Sequence, residues 1–203
     1  MLNALKVVAL LGLCLVVIGC ANQSELPPQT TQQLVDLRDG LTQGKAQIQT
    51  TCNNARDLTQ RPQAQIEPQI TRLQTSIKEL EERAAGGRKG YSTAREQSQA
   101  YFAKWEEQLQ GMSRNLADQG EARRADSMAS FKELEKRVET LRGEFRPFMD
   151  QVLEVSKYLE TDPTASGVKA VNRQMQQALG RENNLMAKAD AVIQQIDKMR
   201  GGK

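Results

Sequence analysis

The chain has 203 residues, of which 26% are charged and only 4% are aromatic, and its formal net charge is +3. This length permits one ordinary domain or one elongated helical domain, and so little aromatic area favours long helices with narrow apolar stripes over a thick globular core. Acidic and basic residues alternate along the chain, which excludes the clustered basic surface typical of nucleic-acid-binding proteins.

Residues 1–19 have the organisation of a secretory signal. Lys6 supplies a short positive segment, and residues 7–18 form an apolar run that is too short to span a bilayer. The run ends in Val17-Ile18-Gly19-Cys20, which resembles the lipobox of bacterial lipoproteins. An ordinary signal peptide followed by a chance cysteine is the alternative interpretation.

The lipobox resemblance implies that cleavage makes Cys20 the first residue and that Cys20 carries acyl chains. Membrane attachment becomes stable when more than one chain is present. By the same resemblance, Ala21 after the cysteine implies the outer membrane of a Gram-negative cell, with the protein facing the periplasm. Residues 20–29 contain Pro27-Pro28 and are expected to form a short extended tether between lipid and fold.

Residues 30–200 are expected to form a helical domain whose first helix covers about 30–59. Thr30 and Gln33 match a capping box at its start. Leucine and isoleucine residues then recur at spacings of three and four, which places them on one face of a helix. Pro62 ends the pattern because proline removes a helical hydrogen bond.

A second helix is predicted from about Pro68 to Leu116, across the segment Gly86-Gly87-Arg88-Lys89-Gly90. Each interior glycine weakens a helix by about 1 kcal/mol, which argues for a break. The apolar stripe nevertheless keeps its phase through the glycines, and a loop would not preserve that phase. We therefore predict one continuous helix that is locally weak at residues 85–91.

The third helix is predicted from nine apolar residues that are spaced three and four apart and form one seam. They are Phe131, Leu134, Val138, Leu141, Phe145, Phe148, Val152, Val155 and Leu159. Pro147 lies inside this helix, and we expect it to kink the helix without ending it. Residues 117–126, which include Gly120, are expected to form the turn between the second and third helices.

Asp162 and Pro163 are expected to cap and begin a fourth helix that continues to about residue 200. Its apolar positions keep the same spacing, with Glu182 as the only charged position in the seam. Residues 201–203 are then a flexible tail. Together the four patterns predict an all-α fold, an elongated antiparallel bundle of about four long helices with coiled-coil-like seams.

The residue types needed for catalysis or for cofactor and metal binding are scarce, and we do not expect an enzyme. The chain contains no histidine, the commonest general base and metal ligand. The carboxylate pairs Glu81-Glu82 and Glu106-Glu107 are adjacent, so their side chains point to different faces of a helix and are interpreted as solvated surface. Residues 86–90 follow no strand and are interpreted as a flexible basic segment. Arg123-Arg124 is a weak candidate for contact with phosphate headgroups.

Cys52 is the only thiol that remains if Cys14 leaves with the signal and Cys20 is acylated. No intramolecular disulfide is therefore expected. Because Ile48 and Ala55 lie beside it on the helix, we favour a buried packing residue over an intermolecular disulfide.

Three short segments resemble landmarks of an uncharacterised family of Gram-negative helical, coiled-coil-like proteins, many of them lipoproteins. They are Phe102-x-x-Trp105, Pro147-Phe148-Met149-Asp150-Gln151-Val152-Leu153 and Tyr158-Leu159. The likeness covers roughly residues 95–172. It implies a helical fold and an envelope location, and the family brings no known activity.

The expected function is that of a lipid-anchored structural or adaptor lipoprotein that binds other envelope proteins through helical surfaces. The alternative is a membrane-associated helical module that binds lipid or shapes the bilayer through a basic helical face. Neither hypothesis requires a cofactor or a nucleic-acid partner.

Overall fold

The computed structural model describes residues 28–201, and within this range the chain is helical with no strands. The helices are α1 (Pro28–Gln60), α2 (Glu67–Leu109), α3 (Arg114–Thr161), α4 (Ala165–Leu179) and α5 (Glu182–Met199). Only two residues separate α4 from α5, so these helices together form one arm. The main contacts join α1 to α2, α2 to α3, α3 to the α4–α5 arm, and that arm to α1. The predicted all-α bundle of four arms is confirmed.

The up-and-down order of the arms gives the bundle two different ends. The terminal end carries Pro28, the turn Gln110–Ser113 and Gly201, and the distal end carries the connections at residues 61–66 and 162–164. The longest helix, α3, has 48 residues. At 1.5 Å per residue it extends over about 72 Å, so the two ends lie far apart.

The buried apolar side chains form two clusters along this length. The distal core consists of Ile48, Cys52, Ala55, Leu58, Ile70, Leu73, Ile77, Leu80, Phe148, Met149, Val152, Val155, Leu159, Val168, Val171, Met175, Ala178 and Leu185. The terminal core consists of Leu34, Leu37, Phe102, Phe131, Leu134, Val138, Val192, Ile196 and Met199. Between the clusters, α2 buries no side chain from Glu81 to Tyr91, which includes the three glycines. The middle of α2 is therefore its least buried part.

The glycine-containing segment of α2 is helical throughout, as the phase of the apolar stripe predicts. Gly86, Gly87 and Gly90 have open space where a Cβ atom would lie, so no close approach requires glycine there. Pro147 likewise lies within a continuous α3. Seven of the nine seam positions of α3 are buried, and the other two, Leu141 and Phe145, are half-buried.

The turn between α2 and α3 lies earlier than predicted. Residues 117–126 are helical, and the chain reverses at Gln110–Ser113, where Ser113 has an extended backbone with φ −62° and ψ 149°. Gly120 lies inside α3, and a Cβ atom there would overlap the side chain of Leu109 at the end of α2. This glycine therefore allows close helix packing, and the prediction that it marks a turn was wrong.

The start of the fourth arm also differs from the prediction. Asp162 ends α3, and Thr164 caps α4, because the Thr164 hydroxyl accepts a hydrogen bond of 3.1 Å from the Gly167 backbone N–H. The arm is interrupted at Gly180 and Arg181, where the sequence pattern predicted one helix. At the other end of the chain, α1 begins at Pro28, two residues before the predicted start.

Polar contacts hold the arms in register. The side chain of Gln69 is buried and donates hydrogen bonds to the Asp57 carboxylate at 2.9 Å and to the Arg61 carbonyl at 3.0 Å, which fixes the turn from α1 to α2. The hydrogen bond from Gln69 lowers the pKa of Asp57 below its ordinary value. Ion pairs then join α1 to α5 in antiparallel order: Arg38–Asp197, Lys45–Asp190 and Arg56–Glu182.

The pairing with Arg56 explains why the fourth arm has a charged residue in its apolar seam. The Glu182 side chain is only 12% exposed, and it lies in the first turn of α5. A carboxylate is favoured there because the positive end of the helix dipole and the guanidinium group both stabilise it.

Candidate interaction surface at the terminal end

The terminal end of the bundle holds most of the aromatic side chains. Phe102 of α2 and Phe131 of α3 pack edge to face with ring centroids 6.4 Å apart, and both are buried. Tyr101 and Trp105 lie on α2 with centroids 5.4 Å apart and are half-buried against the terminal core. Burial raises the pKa of the Tyr101 hydroxyl above its ordinary value. A half-exposed aromatic pair therefore lies close behind the α2–α3 turn.

The turn itself exposes apolar side chains. Among the described residues, the large apolar side chains classed as exposed are Met112, Leu116 and Tyr158, at 49%, 57% and 43%. Met112 and Leu116 lie in and directly after the α2–α3 turn, whereas Tyr158 lies near the distal end. Both residues lie within the predicted second helix, which was expected to continue its apolar stripe to Leu116. They are exposed because α2 ends at Leu109 before the stripe reaches them.

Charged side chains near the turn are partly neutralised by one another. Arg124 forms ion pairs of 2.9 Å with Glu121 and 3.1 Å with Glu106, and its own side chain is only 12% exposed. Hydrogen bonding to Glu121 raises the pKa of Arg124 above its ordinary value. Of the pair predicted to meet phosphate headgroups, only Arg123 is exposed. This surface is therefore not strongly basic.

The other residues considered from the sequence lie apart from this surface. Glu81 and Glu82 are exposed on the middle of α2, as is the basic segment at residues 86–90, which is helical and has no loop that could hold an anion. In the described part of the chain, no cluster of cysteine and carboxylate side chains has a geometry suited to a metal ion. Cys20, the predicted lipidation site, lies outside the described residues.

Cys52 lies in the distal core and is a free thiol that is 1% exposed. It borders a crevice with no room for a water molecule, lined by Thr51, Ala55, Phe148, Val152, Met175, Ala178 and Leu179. Burial raises the pKa of the Cys52 thiol to about 12, and the nearby Glu182 carboxylate adds to the effect. The interpretation of Cys52 as a buried packing residue is therefore confirmed.

This burial predicts a thiol that does not react in the native protein and a stability that falls at alkaline pH. An unfolded thiol loses its proton near pH ~8.5, so between that pH and about 12 the unfolded chain is deprotonated while the native chain is not. The free energy of unfolding should therefore decrease as pH rises through this window, by at most about 1.4 kcal/mol per pH unit.

The measurement is the urea midpoint as a function of pH for a chain that starts after Cys20, compared with its Cys52→Ala variant. Subtracting the pH profile of the Cys52→Ala variant from that of the unmodified chain removes the contribution of the lysines and tyrosines that titrate in the same range. Rapid alkylation of native Cys52 at neutral pH, or identical pH profiles of the two chains, would contradict the prediction.

Comparison with known families identifies the bundle. Residues 29–200 match the family described as "Protein of unknown function (DUF2959)". The chain belongs to this family. The match covers all five helices of the DUF2959 protein, and the resemblance to an uncharacterised helical family seen in the sequence is confirmed to that extent. No curated protein and no solved structure gives a significant match. Within residues 28–201, no helix has an apolar stretch long enough to cross a bilayer.

Proposed function

We propose that this DUF2959 protein is a lipid-anchored lipoprotein of the Gram-negative outer membrane, facing the periplasm, with a structural or adaptor role and no enzymatic activity. The proposed anchoring rests on the sequence Val17-Ile18-Gly19-Cys20 at the end of an apolar run. The helical bundle begins at Pro28, so only a short polar segment separates the proposed acylated residue from the fold.

The shape of the bundle supports an adaptor role over a catalytic one. The first helix, α1, begins at one end of a rod whose longest helix extends over about 72 Å, so a partner bound at the distal end would be held far from the membrane. The rod offers a long surface of mixed charge along which other helices can pack. Pairing of Arg124 with Glu106 and Glu121 weakens the basic-face alternative, because it removes one of the few clustered cations from a role in lipid binding.

Cys20→Ser tests the anchoring. The variant should lose acyl-chain labelling and accumulate as an uncleaved precursor, because the thiol is the acceptor of the lipid. Cys14→Ser is the matched control, since Cys14 lies within the proposed signal and its thiol has no role in the reaction. A Cys20→Ser protein that still incorporates fatty acid and matures normally would show that the lipoprotein assignment is wrong.

Two further measurements separate the adaptor from a lipid-binding module. The domain without residues 1–20 should remain in the supernatant when it is centrifuged with liposomes if it is an adaptor, and it should pellet if it binds lipid through its own surface. Photo-crosslinkers at exposed distal positions such as Gln65 or Lys157 should capture defined envelope proteins from cells that express the anchored form.

A further inference from the structure

The α2–α3 tip, defined here as residues 110–116, exposes apolar side chains where a turn would usually be polar. Met112 and Leu116 are about half exposed. Glycine and serine, which are typical of turns, are present only at positions 111 and 113. Isolated exposed apolar residues need no explanation on a protein surface. These two, however, lie together at an extremity of the bundle, beyond the last layer of the terminal core.

The tip lies beyond the start of α1 at the terminal end of the bundle. The side chain of Arg83 on α2 donates a hydrogen bond of 2.8 Å to Gln43 on α1, so these two residues lie at nearly the same height. From Arg83, α2 continues over about 39 Å to Leu109, whereas α1 begins at Pro28, about 22 Å before Gln43. The α2–α3 tip therefore extends roughly 15 Å further in this direction than the start of α1.

The length of chain before α1 determines how far this end can lie from an anchor at Cys20. The segment from Cys20 to Pro28 spans at most about 29 Å when fully extended. The distal end, by contrast, lies about 70 Å from the tip along the helices. If Cys20 is held in a bilayer, the terminal end is the part of the bundle that faces that bilayer, and the tip can reach its surface.

The chemistry of the tip matches the interfacial layer of a membrane. Arg114 lies between the two apolar residues and is exposed, and a long cationic side chain can extend to phosphate groups while its neighbours bury apolar atoms. Trp105 and Tyr101 lie about 10–16 Å behind Met112, so they stay outside a headgroup layer that is about 5–7 Å thick. Lipid contact here would depend on apolar burial, since Arg124 is already paired.

We infer that the α2–α3 tip inserts Met112 and Leu116 into the interfacial layer of the bilayer that holds Cys20, and this inference rests on the proposed lipid anchoring. A single flexible tether would leave the rod free to tilt, whereas a second contact at the tip restrains its direction. Two side chains are too few to hold the domain on a membrane alone. Anchoring at Cys20 raises their effective concentration at the surface, so the contact forms in the acylated protein.

The test uses single-tryptophan versions of the full-length acylated protein in lipid vesicles. Trp105 is the only tryptophan, so Trp105→Phe provides a background without one. Leu116→Trp then reports on the tip, and Ala64→Trp, at an exposed position in the distal turn, is the matched control. Vesicles of phosphatidylethanolamine and phosphatidylglycerol carry bromine on their acyl chains, which quenches only tryptophans that reach the bilayer.

The expected result is at least twofold quenching of the tryptophan at position 116 and none of the tryptophan at position 64, with little change between low and high salt. A second arm adds Met112→Ser to the Leu116→Trp chain. This substitution should reduce the quenching at position 116, because it removes part of the native apolar contact with the bilayer. Equal quenching with and without Met112 would show that the new tryptophan creates the contact by itself, which overturns the inference.

A failure of the inference about the tip can be distinguished from a failure of the proposed anchoring. If the protein floats with the vesicles but the tryptophan at position 116 is not quenched, the inference about the tip is wrong and the anchoring stands. If this tryptophan is shielded from aqueous acrylamide without being quenched by bromine, a second copy or residues 21–27 cover the tip, which also overturns the inference. If the protein does not float, the proposed function fails together with the inference.

Discussion

Phe148→Ala is expected to destabilise the bundle by about 3–5 kcal/mol, because it deletes a fully buried ring and leaves a cavity that its neighbours cannot fill. The ring is 0% exposed and packs in the distal core beside Cys52, Val152 and Met175. The crevice at this point already has no room for water, so its walls are fixed by existing contacts. The measurement is the urea midpoint and slope of the purified domain.

Phe145→Ala is the matched control, since it removes the same side chain from the same helix. Phe145 is half-buried at the edge of the distal core, with its ring centroid 6.3 Å from that of Phe148. Phe145→Ala should lower the free energy of unfolding by roughly half as much as Phe148→Ala. The reason is that it removes less buried apolar area and that solvent can fill the space. Equal losses, or a larger loss for Phe145→Ala, would show that the orientation of α3 is wrong.

Gly167→Ala is expected to destabilise the start of α4 by about 1–3 kcal/mol, as insertion of a methyl group into a packed site does. A Cβ atom on Gly167 would overlap the backbone carbonyl oxygen of Asp162. That oxygen cannot move away easily, because the Asp162 N–H donates to the Tyr158 carbonyl at 3.0 Å and the Asp162 carboxylate accepts from Thr164 at 2.6 Å. Thermal and chemical denaturation measure this loss of stability relative to the unmodified domain.

Gly87→Ala is the control and should change stability in the opposite direction. Gly87 lies inside α2 with nothing within 4 Å of the position of a Cβ atom. Alanine there should stabilise the helix by about 0.5–1 kcal/mol, because it restricts the unfolded chain more than glycine does. If Gly167→Ala stabilised the domain as Gly87→Ala is expected to, the close approach at Gly167 would not exist as described. If Gly87→Ala destabilised it, the open space at Gly87 would be wrong.

The proposed lipidation site rests on a local sequence signal. The lipobox is a short contiguous motif, and the proposal that Cys20 is acylated depends on no contact within the bundle. The exposure of Met112 and Leu116 could not be predicted, because both residues continue the phase of the α2 stripe. Sequence periodicity does not show that the chain leaves α2 at Leu109. The pairing of Arg124 with Glu106 also joins two different helices and was missed.

Helical periodicity, the continuity of α2 across its glycines and the seam of α3 were determined by the sequence alone. These features depend on contacts between residues three and four positions apart, which the chain makes wherever it is helical. The tertiary structure decided that Phe148 is fully buried while Phe145 is not, and that Glu182 in the apolar seam faces Arg56. Arg56 and Glu182 are 126 residues apart along the chain, and only the packing of the arms determines which side chains meet.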